Sequence, residues 1–124
     1  MSTGTWLVLL LVLALVAQVL WRRRGLVNIT GAELNQRLQR REKLIVVDVR
    51  EPDEFRSGHI PGAVNVPLSR LEAGAQQLDR SAETILVCRS GNRSVTAFHR
   101  LKRMGFTDLK NLPGGMMAWP GKTR

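Results

Sequence analysis

The chain opens with an apolar segment, and shorter apolar runs separated by polar residues follow it. The apolar segment extends from Trp6 to Leu20 with one polar residue, Gln18. Counted from Gly4 to Trp21, it is near the short limit for a membrane span, because about 20 helical residues cross a bilayer core and roughly 17 can suffice. A tryptophan at each end suits the two membrane interfaces. We therefore predict one transmembrane helix, with residues 1–24 forming an anchor and its basic flank.

The charged residues that flank this segment predict its orientation. Arg22 to Arg24 follow it directly, whereas Met1 to Thr5 carry no basic side chain. The positive-inside tendency then places the N-terminus outside and the rest of the chain in the cytoplasm, as in a single-pass protein of an inner or plasma membrane. A cleaved signal peptide is the alternative, but the usual basic start and a small-x-small cleavage site are missing. Residues 6–24 are expected to contact membrane lipid, with the arginines near anionic headgroups.

In residues 25–124, stretches with β-strand character alternate with stretches of helical periodicity. This alternation is typical of a parallel α/β sheet, for which we expect about five strands in one domain. Leu44 to Val49 is the clearest strand, because a nearly continuous β-branched run suits a strand covered on both faces. Thr30 and Glu33 have the spacing of a capping box and predict a helix start. The predicted strands are Val27–Ile29, Leu44–Val49, Ala63–Val66, Thr84–Cys88 and Leu109–Leu112, and the predicted helices are Thr30–Arg41, Glu51–Arg56, Ser69–Leu78 and Ser94–Met104.

The single cysteine, Cys88, lies where a predicted strand ends and the loop Arg-Ser-Gly-Asn-Arg-Ser, residues 89–94, begins. In parallel sheets ligands gather at the carboxyl ends of strands. Loop amides, the positive end of the following helix dipole and the guanidinium groups of Arg89 and Arg93 would favour a thiolate there. A buried, inert cysteine at a strand end is the alternative. The glycine and the two arginines favour a nucleophile beside an anion site.

Cysteine content and charge narrow the functional classes. A lone cysteine excludes an intrachain disulfide, and a reactive thiol is expected in a reducing compartment, in agreement with a cytoplasmic domain. The net charge is +9, and the 16 basic and 10 acidic residues after Arg24 are scattered along the chain. Because tyrosine is absent and no basic stripe is interleaved with aromatic residues, the sequence does not favour nucleic-acid binding.

Several segments of the sequence resemble the rhodanese-like domains, single-domain sulfurtransferases related in fold to a group of dual-specificity phosphatases. They are Asp48–Glu51, Glu54–Asn65, Cys88–Ser94, and Gly114–Gly115 followed by Trp119–Pro120. The resemblance covers about residues 27–120. It implies a three-layer α/β sandwich with a central parallel sheet. It also implies a catalytic cysteine that takes a sulfane sulfur from a donor such as thiosulfate.

On this resemblance Cys88 would hold the sulfur as a persulfide and pass it to a thiol, a protein or another nucleophilic acceptor. Such attack needs an available thiolate and a stabilised anionic leaving group, and no cofactor or metal is expected. Asp48 and Arg50 are expected to form a polar pair beneath the loop. His59, in a tight turn, is expected to bond to neighbouring backbone. The residues expected to bind the small anionic donor are Arg89, Ser90, Gly91, Asn92, Arg93 and Ser94.

Loop length argues against a phosphatase, because four residues separate Cys88 from Arg93, whereas the pattern of the related phosphatases has five. The smaller loop suits a sulfur atom better than a phosphoryl group, and no general acid for a phosphate leaving group is evident. Arsenate reduction is disfavoured because the chain offers no second cysteine to resolve an intermediate. The remaining alternative is a membrane-tethered rhodanese-like module that binds or regulates a partner with little turnover. The intact cysteine and arginine-bearing loop favour the enzyme.

Overall fold

A parallel sheet forms the centre of the structure, a computed structural model that describes residues 2–22 and 25–124. The strands are β1 Ile45–Asp48, β2 Val64–Asn65, β3 Thr84–Val87 and β4 Leu109–Asn111, and the helices are α1 Thr3–Arg22, α2 Gly31–Gln39, α3 Pro52–Arg56, α4 Leu71–Gly74 and α5 Asn92–Arg103. The strand order is β2-β1-β3-β4 with every pair parallel, which confirms the predicted α/β class. Met1, Arg23 and Arg24 lie outside the described residues, and with them part of the predicted basic flank.

The sheet has four strands where the sequence predicted about five, because the first predicted strand, Val27–Ile29, pairs too briefly. It forms a single parallel bridge, between Asn28 and Asn111. Two backbone hydrogen bonds hold it beside β4, from Ile29 N to Asn111 O (3.0 Å) and from Asn111 N to Val27 O (2.7 Å). The next residue is already the N-cap of α2, as the capping-box spacing predicted. The extended stretch therefore has no room to lengthen into a strand.

The predicted helix Ser69–Leu78 is broken in the structure. It consists of a 3-10 turn at Leu68–Arg70, the single helical turn α4 and a second 3-10 turn at Ala75–Gln77. Gly74 lies at the join, and a glycine inside a helix lowers its stability by roughly 1 kcal/mol relative to alanine. The apolar periodicity identified the buried residues Leu71 and Ala75 correctly, but it did not predict that the helix would be interrupted by 3-10 turns.

The two faces of the sheet carry separate cores, because side chains alternate along each strand. On one face, Leu86 and Cys88 pack with residues of α4 and α5. On the other face, Ile85 and Val87 pack with Leu34 of α2. Helices therefore cover both faces of the sheet. The alternation also turns Cys88, one residue beyond β3, toward α5.

Helix α1 carries the apolar segment, and none of its residues is buried. It is long and apolar enough to cross a membrane, and a signal sequence passes the same test. Its last residue contacts α5: Arg22 Nη2 donates to Asn92 O at 3.2 Å and to Thr96 Oγ1 at 2.6 Å. The end of α1 therefore lies against α5.

A 3-10 turn after β4, Gly115–Ala118, packs on the chain that follows β3. The amide of Met116 donates to the Cys88 carbonyl at 2.8 Å, and the next amide donates to the Arg89 carbonyl at 3.0 Å. This approach requires a glycine at the start of the turn. Gly115 has φ +52°, and a Cβ added to it would lie 2.1 Å from the Cys88 carbonyl oxygen. The paired glycines of the sequence thus permit close contact between two main-chain segments.

Replacing Gly115 with alanine is expected to destabilise the domain more than replacing Gly62. Both have left-handed backbone, φ +52° and +83°, but no atom lies within 4 Å of a Cβ added at Gly62. Gly62→Ala should lower the free energy of unfolding by about 1–2 kcal/mol. Gly115→Ala should lower it by about 3 kcal/mol or more, because its clash is with main chain.

Urea unfolding of the full chain in detergent, followed by tryptophan fluorescence, compares the two variants. Equal losses of unfolding free energy would show that the close approach of Gly115 to the Cys88 carbonyl is dispensable.

Candidate functional site

Cys88 lies at the carboxyl end of β3 and is completely buried. The carboxyl end of β1 is beside it, because Asp48 is in register with Val87, the last residue of β3. Ligands gather at this edge in parallel α/β sheets. The nucleophile predicted from the sequence therefore occupies the expected edge.

The loop after Cys88 folds back over the sulfur atom. Gly91 has φ +102°, a left-handed conformation that favours glycine, and it directly precedes α5. In this conformation its amide donates to Cys88 Sγ at 2.9 Å. The Cys88 thiol donates to the hydroxyl oxygen of Ser94, in the first turn of α5, with 3.5 Å between Sγ and Oγ. One amide and one hydroxyl thus converge on Sγ.

A buried chain of polar side chains positions the Ser94 hydroxyl. Its Oγ donates to Gly91 O at 3.0 Å and contacts Oδ1 of Asn111, the last residue of β4. Asn111 in turn donates from Nδ2 to Asn28 Oδ1 at 3.3 Å. A hydroxyl has a single proton, so the Gly91 carbonyl, Asn111 Oδ1 and a thiolate on Cys88 compete for it. The orientation of the Asn111 amide therefore influences how strongly Ser94 donates to the sulfur.

Opposing effects set the pKa of Cys88. Burial is the largest of them and disfavours the charged thiolate, which raises the pKa. The Ser94 hydroxyl and the backbone amides of Ser94, Gly91 and Ser90 donate hydrogen bonds that favour the thiolate. Together these donors hold the pKa of the Cys88 thiol below its usual value, in the direction that the loop sequence predicted. The thiolate form of Cys88 is therefore populated over a wider pH range than that of a free cysteine.

Ser90 and Asn92, two of the residues predicted to bind a donor, lie on either side of Gly91. Ser90 acts through its backbone amide, which donates toward the sulfur. Asn92 is the first residue of α5, and its carbonyl accepts from Arg22. Main-chain groups, more than polar side chains, therefore surround Sγ on this side.

Arg93 is held by a carboxylate of α3. It forms a bidentate ion pair with Glu54, with distances of 2.6 Å between Nη1 and Oε1 and 2.8 Å between Nη2 and Oε2. The hydrogen bonds from Arg93 lower the pKa of Glu54 to about 2, and Glu54 raises the pKa of Arg93. The guanidinium that the sequence predicted to attract an anionic donor is therefore already paired in this structure.

Arg89 lies exposed at a small cleft beside the loop, with a volume of about 310 Å³. The cleft is lined by Arg50, Glu54, Ser57, Arg89, Met116 and Met117. Arg50 and Glu54 each belong to an ion pair, whereas Arg89 has no ion-pair partner among residues 2–22 and 25–124. Arg89 is therefore the cation of this cleft that an incoming anion can reach.

Asp48 and Arg50 form the predicted polar pair, and both are buried. The Arg50 guanidinium donates to the Asp48 carboxylate at 3.0 Å and 2.8 Å and to the Gly58 carbonyl at 2.7 Å. Asn65 of β2 donates to the carbonyls of both residues, at 3.0 Å and 2.8 Å. The pair thus connects the end of β1 to β2 and to the turn at Gly58, which precedes β2. His59, by contrast, bonds through Nδ1 to the Phe55 carbonyl at 2.8 Å, the backbone contact predicted for it.

Sequence reasoning missed two residues at the site, Glu54 and Asn111. Glu54 lies in a segment that carried the family resemblance, and that was its only signal. Asn111 is the last residue of β4, and it is buried although its side chain is polar. Both act through partners distant in sequence, 39 residues away for the Glu54–Arg93 pair and 17 for Asn111 and Ser94.

The arrangement suits a reaction in which sulfur is the attacking atom. A thiolate among amide donors can attack a second sulfur, and the same donors can stabilise the anion that results.

Known proteins resemble this chain in sequence and structure. It is 40% identical over 88 residues to YrkF of Bacillus subtilis (strain 168), which covers 71% of this chain and 48% of that protein. It is 35% identical over 82 residues to the thiosulfate sulfurtransferase GlpE of Pseudomonas putida, covering 66% of this chain and 74% of that one. The solved rhodanese-like domain of the Alr3790 protein of Anabaena sp. superposes with a TM-score of 0.73 at 26% identity, covering 78% of this chain and 77% of that one.

The family described as rhodanese-like domain matches residues 30–122, which include every strand and every helix except α1. Sulfurtransferase relatives support a general function in sulfur transfer, with a sulfur donor and an acceptor as partners. The membrane-anchor prediction gains no support from this match, because α1 lies outside it. The chain belongs to the family of rhodanese-like domains.

Proposed function

We propose that this protein is a membrane-anchored sulfurtransferase that forms a persulfide on Cys88, with thiosulfate as donor and a small or protein thiol as acceptor. The hydrogen bond of 2.9 Å from the Gly91 amide to the Cys88 sulfur carries the proposal. Together with the Ser94 hydroxyl, this amide stabilises negative charge on sulfur, which is needed before the attack and after it.

Sulfur transfer then takes two displacement steps. In the first, the Cys88 thiolate attacks the outer sulfur of thiosulfate, the sulfur–sulfur bond of the donor breaks, and sulfite leaves with its electron pair. The persulfide that forms on Cys88 carries the negative charge on its terminal sulfur. In the second step an acceptor thiolate attacks that terminal sulfur, and the Cys88 thiolate leaves. The two steps balance without a redox partner.

The residues around Cys88 take separate roles in this proposal. The amides of Ser90, Gly91 and Ser94 hold the anionic sulfur, and Arg89 attracts the donor to the cleft. Asn92 starts α5 and so fixes the helix that carries Ser94. Arg93 is paired with Glu54 and binds a donor only when that carboxylate releases it. Asp48 and Arg50 hold the neighbouring strand end in place.

We place the anchor in residues 1–24 and the catalytic domain in residues 25–124, with the N-terminus outside and the domain in the cytoplasm of an inner or plasma membrane. The exposed apolar surface of α1 and the arginine that ends it support this placement. The free thiol of Cys88 supports a reducing compartment.

Incubation of the full chain with thiosulfate is expected to add one sulfur atom to Cys88. Intact-mass spectrometry measures the gain, which cyanide or a thiol should reverse, and Cys88→Ser should show none. A folded wild-type chain that gains no sulfur contradicts thiosulfate as the donor. That result would favour a binding or regulatory module over the enzyme.

Ser94→Ala is expected to raise the pKa of Cys88, because the variant removes a hydrogen bond that favours the thiolate. A raised pKa leaves less thiolate near neutral pH, so alkylation by iodoacetamide at pH 7 should slow by about threefold to tenfold. The rate measured against pH should then reach its plateau at higher pH than in the wild type.

Asn111→Asp should shift the profile in the same direction, since a carboxylate can only accept the Ser94 proton. Ser69→Ala is the matched control, because that hydroxyl bonds to Glu51 instead. If Ser94→Ala leaves the alkylation profile unchanged, the Ser94 hydroxyl does not lower the pKa of Cys88.

Glu54→Gln is expected to lower the KM for thiosulfate by about threefold to tenfold, because it frees the Arg93 guanidinium for the donor. The pKa of Glu54 is about 2, so the wild-type pair stays ionised from pH 5 to pH 8 and the effect should be constant over that range. Steady-state kinetics measures it, with Glu72→Gln as control, since Glu72 pairs with Arg100. A higher KM in Glu54→Gln would show that the pair positions Arg93 for the donor.

A further inference from the structure

A basic hollow lies between the end of α1 and the second half of α5. Its volume is about 790 Å³. It is lined by Gln18, Trp21, Arg22, Gly25, His99, Lys102 and Arg103. Three of these side chains are cationic and none is acidic. The hollow is separate from the cleft that holds Arg89 and from the sulfur of Cys88, and the proposed sulfur transfer does not use it.

Several contacts build the walls of this hollow. His99 Nε2 bonds to the Arg22 carbonyl, and Arg22 itself donates to Thr96 Oγ1 at 2.6 Å, so the end of α1 is fixed to α5. A Cβ added to Gly25 would lie 3.3 Å from the Lys102 ammonium, which places that nitrogen at the wall formed by Gly25. Lys102 also lies 6.0 Å above the Phe98 ring.

Glu72, a carboxylate on which Arg103 acts, is already paired with another cation. Glu72 pairs with Arg100, whose Nε donates to it at 2.6 Å. Arg103 contributes only a weaker long-range attraction to Glu72. Within the described part of the chain, Lys102 and Arg103 have no ion-pair partner. Two cations therefore face the hollow with their charge uncompensated.

We propose that the hollow binds the phosphate group of an anionic phospholipid. The hollow adjoins the last turn of the apolar helix, where Trp21 and Arg22 are of the types that lie at the headgroup level of a bilayer. Lys and Arg donors from two helices converge there, and an anionic phosphate complements them. The apolar parts of Trp21 and the Lys102 side chain suit the glycerol region next to the phosphate.

This inference rests on the proposed membrane anchor and not on the proposed sulfur transfer. Residues 6–24 are already expected to contact lipid. The proposal adds a second element, α5, which begins directly after the loop that follows Cys88. A lipid phosphate in the hollow would therefore hold the domain against the membrane by the helix that carries Ser94. A free phosphate ion has the same charge chemistry, so the experiment must separate the two sources.

The test uses the full chain in nanodiscs of phosphatidylcholine alone or mixed with phosphatidylglycerol. Native mass spectrometry counts the phosphatidylglycerol molecules that stay bound after release from the nanodisc. The double variant Lys102→Gln/Arg103→Gln is expected to weaken that retention by about tenfold or more. Arg40→Gln/Lys122→Gln removes the same charge from exposed positions outside the hollow and should leave retention within about twofold.

Equal retention in both double variants would overturn the proposal. Competition with inorganic phosphate tests the lipid assignment. That assignment is wrong if inorganic phosphate displaces phosphatidylglycerol from the wild type and binds in phosphatidylcholine discs as tightly as phosphatidylglycerol does in the mixed discs. A reporter fused after Arg124 and the mass of the mature chain test the anchor separately. A cleaved helix would remove the lipid site, and a reporter outside the cytoplasm would reverse the proposed orientation, while persulfide formation on the same preparation would still stand.

Discussion

The site depends on one constraint, that a buried sulfur can carry negative charge only if hydrogen-bond donors replace the water it has lost. Burial acts against the Cys88 thiolate more strongly than any single donor acts for it. Three backbone amides and one hydroxyl together reverse that balance. Such donors are fixed before any substrate arrives, so stabilising charge on the sulfur requires little reorganisation during the reaction.

The orientation of those amides follows from contacts on the outer side of the loop. In a trans peptide the carbonyl and the following amide point in opposite directions. The Met117 amide holds the Arg89 carbonyl at 3.0 Å from outside, which turns the Ser90 amide inward, toward the sulfur. The same turn can approach so closely only because its first residue is Gly115. Two short segments far apart in sequence therefore orient the amide that faces the Cys88 sulfur.

The sequence predicted the layered α/β class, the edge that carries Cys88 and the capping of α2, because each depends on local periodicity or on neighbouring residues. It overestimated the strand count, since pairing at Asn28 is limited by the helix cap that follows, a matter of tertiary geometry. It could not predict the partner of Arg93. Nothing in the loop shows that Glu54, 39 residues earlier, would reach its guanidinium with both carboxylate oxygens.

That pairing has a chemical consequence for the nucleophile. A thiolate whose pKa is lowered further becomes a weaker nucleophile, since reactivity falls with basicity along a Brønsted slope of about 0.4–0.5. Cys88 and Arg93 attract one another across the loop. An unpaired Arg93 would add its full charge to the amides that already favour the thiolate. Glu54 offsets that charge, so the loop lowers the pKa mainly through neutral donors, and the Cys88 thiolate stays more basic and therefore more nucleophilic than it would be beside an unpaired Arg93.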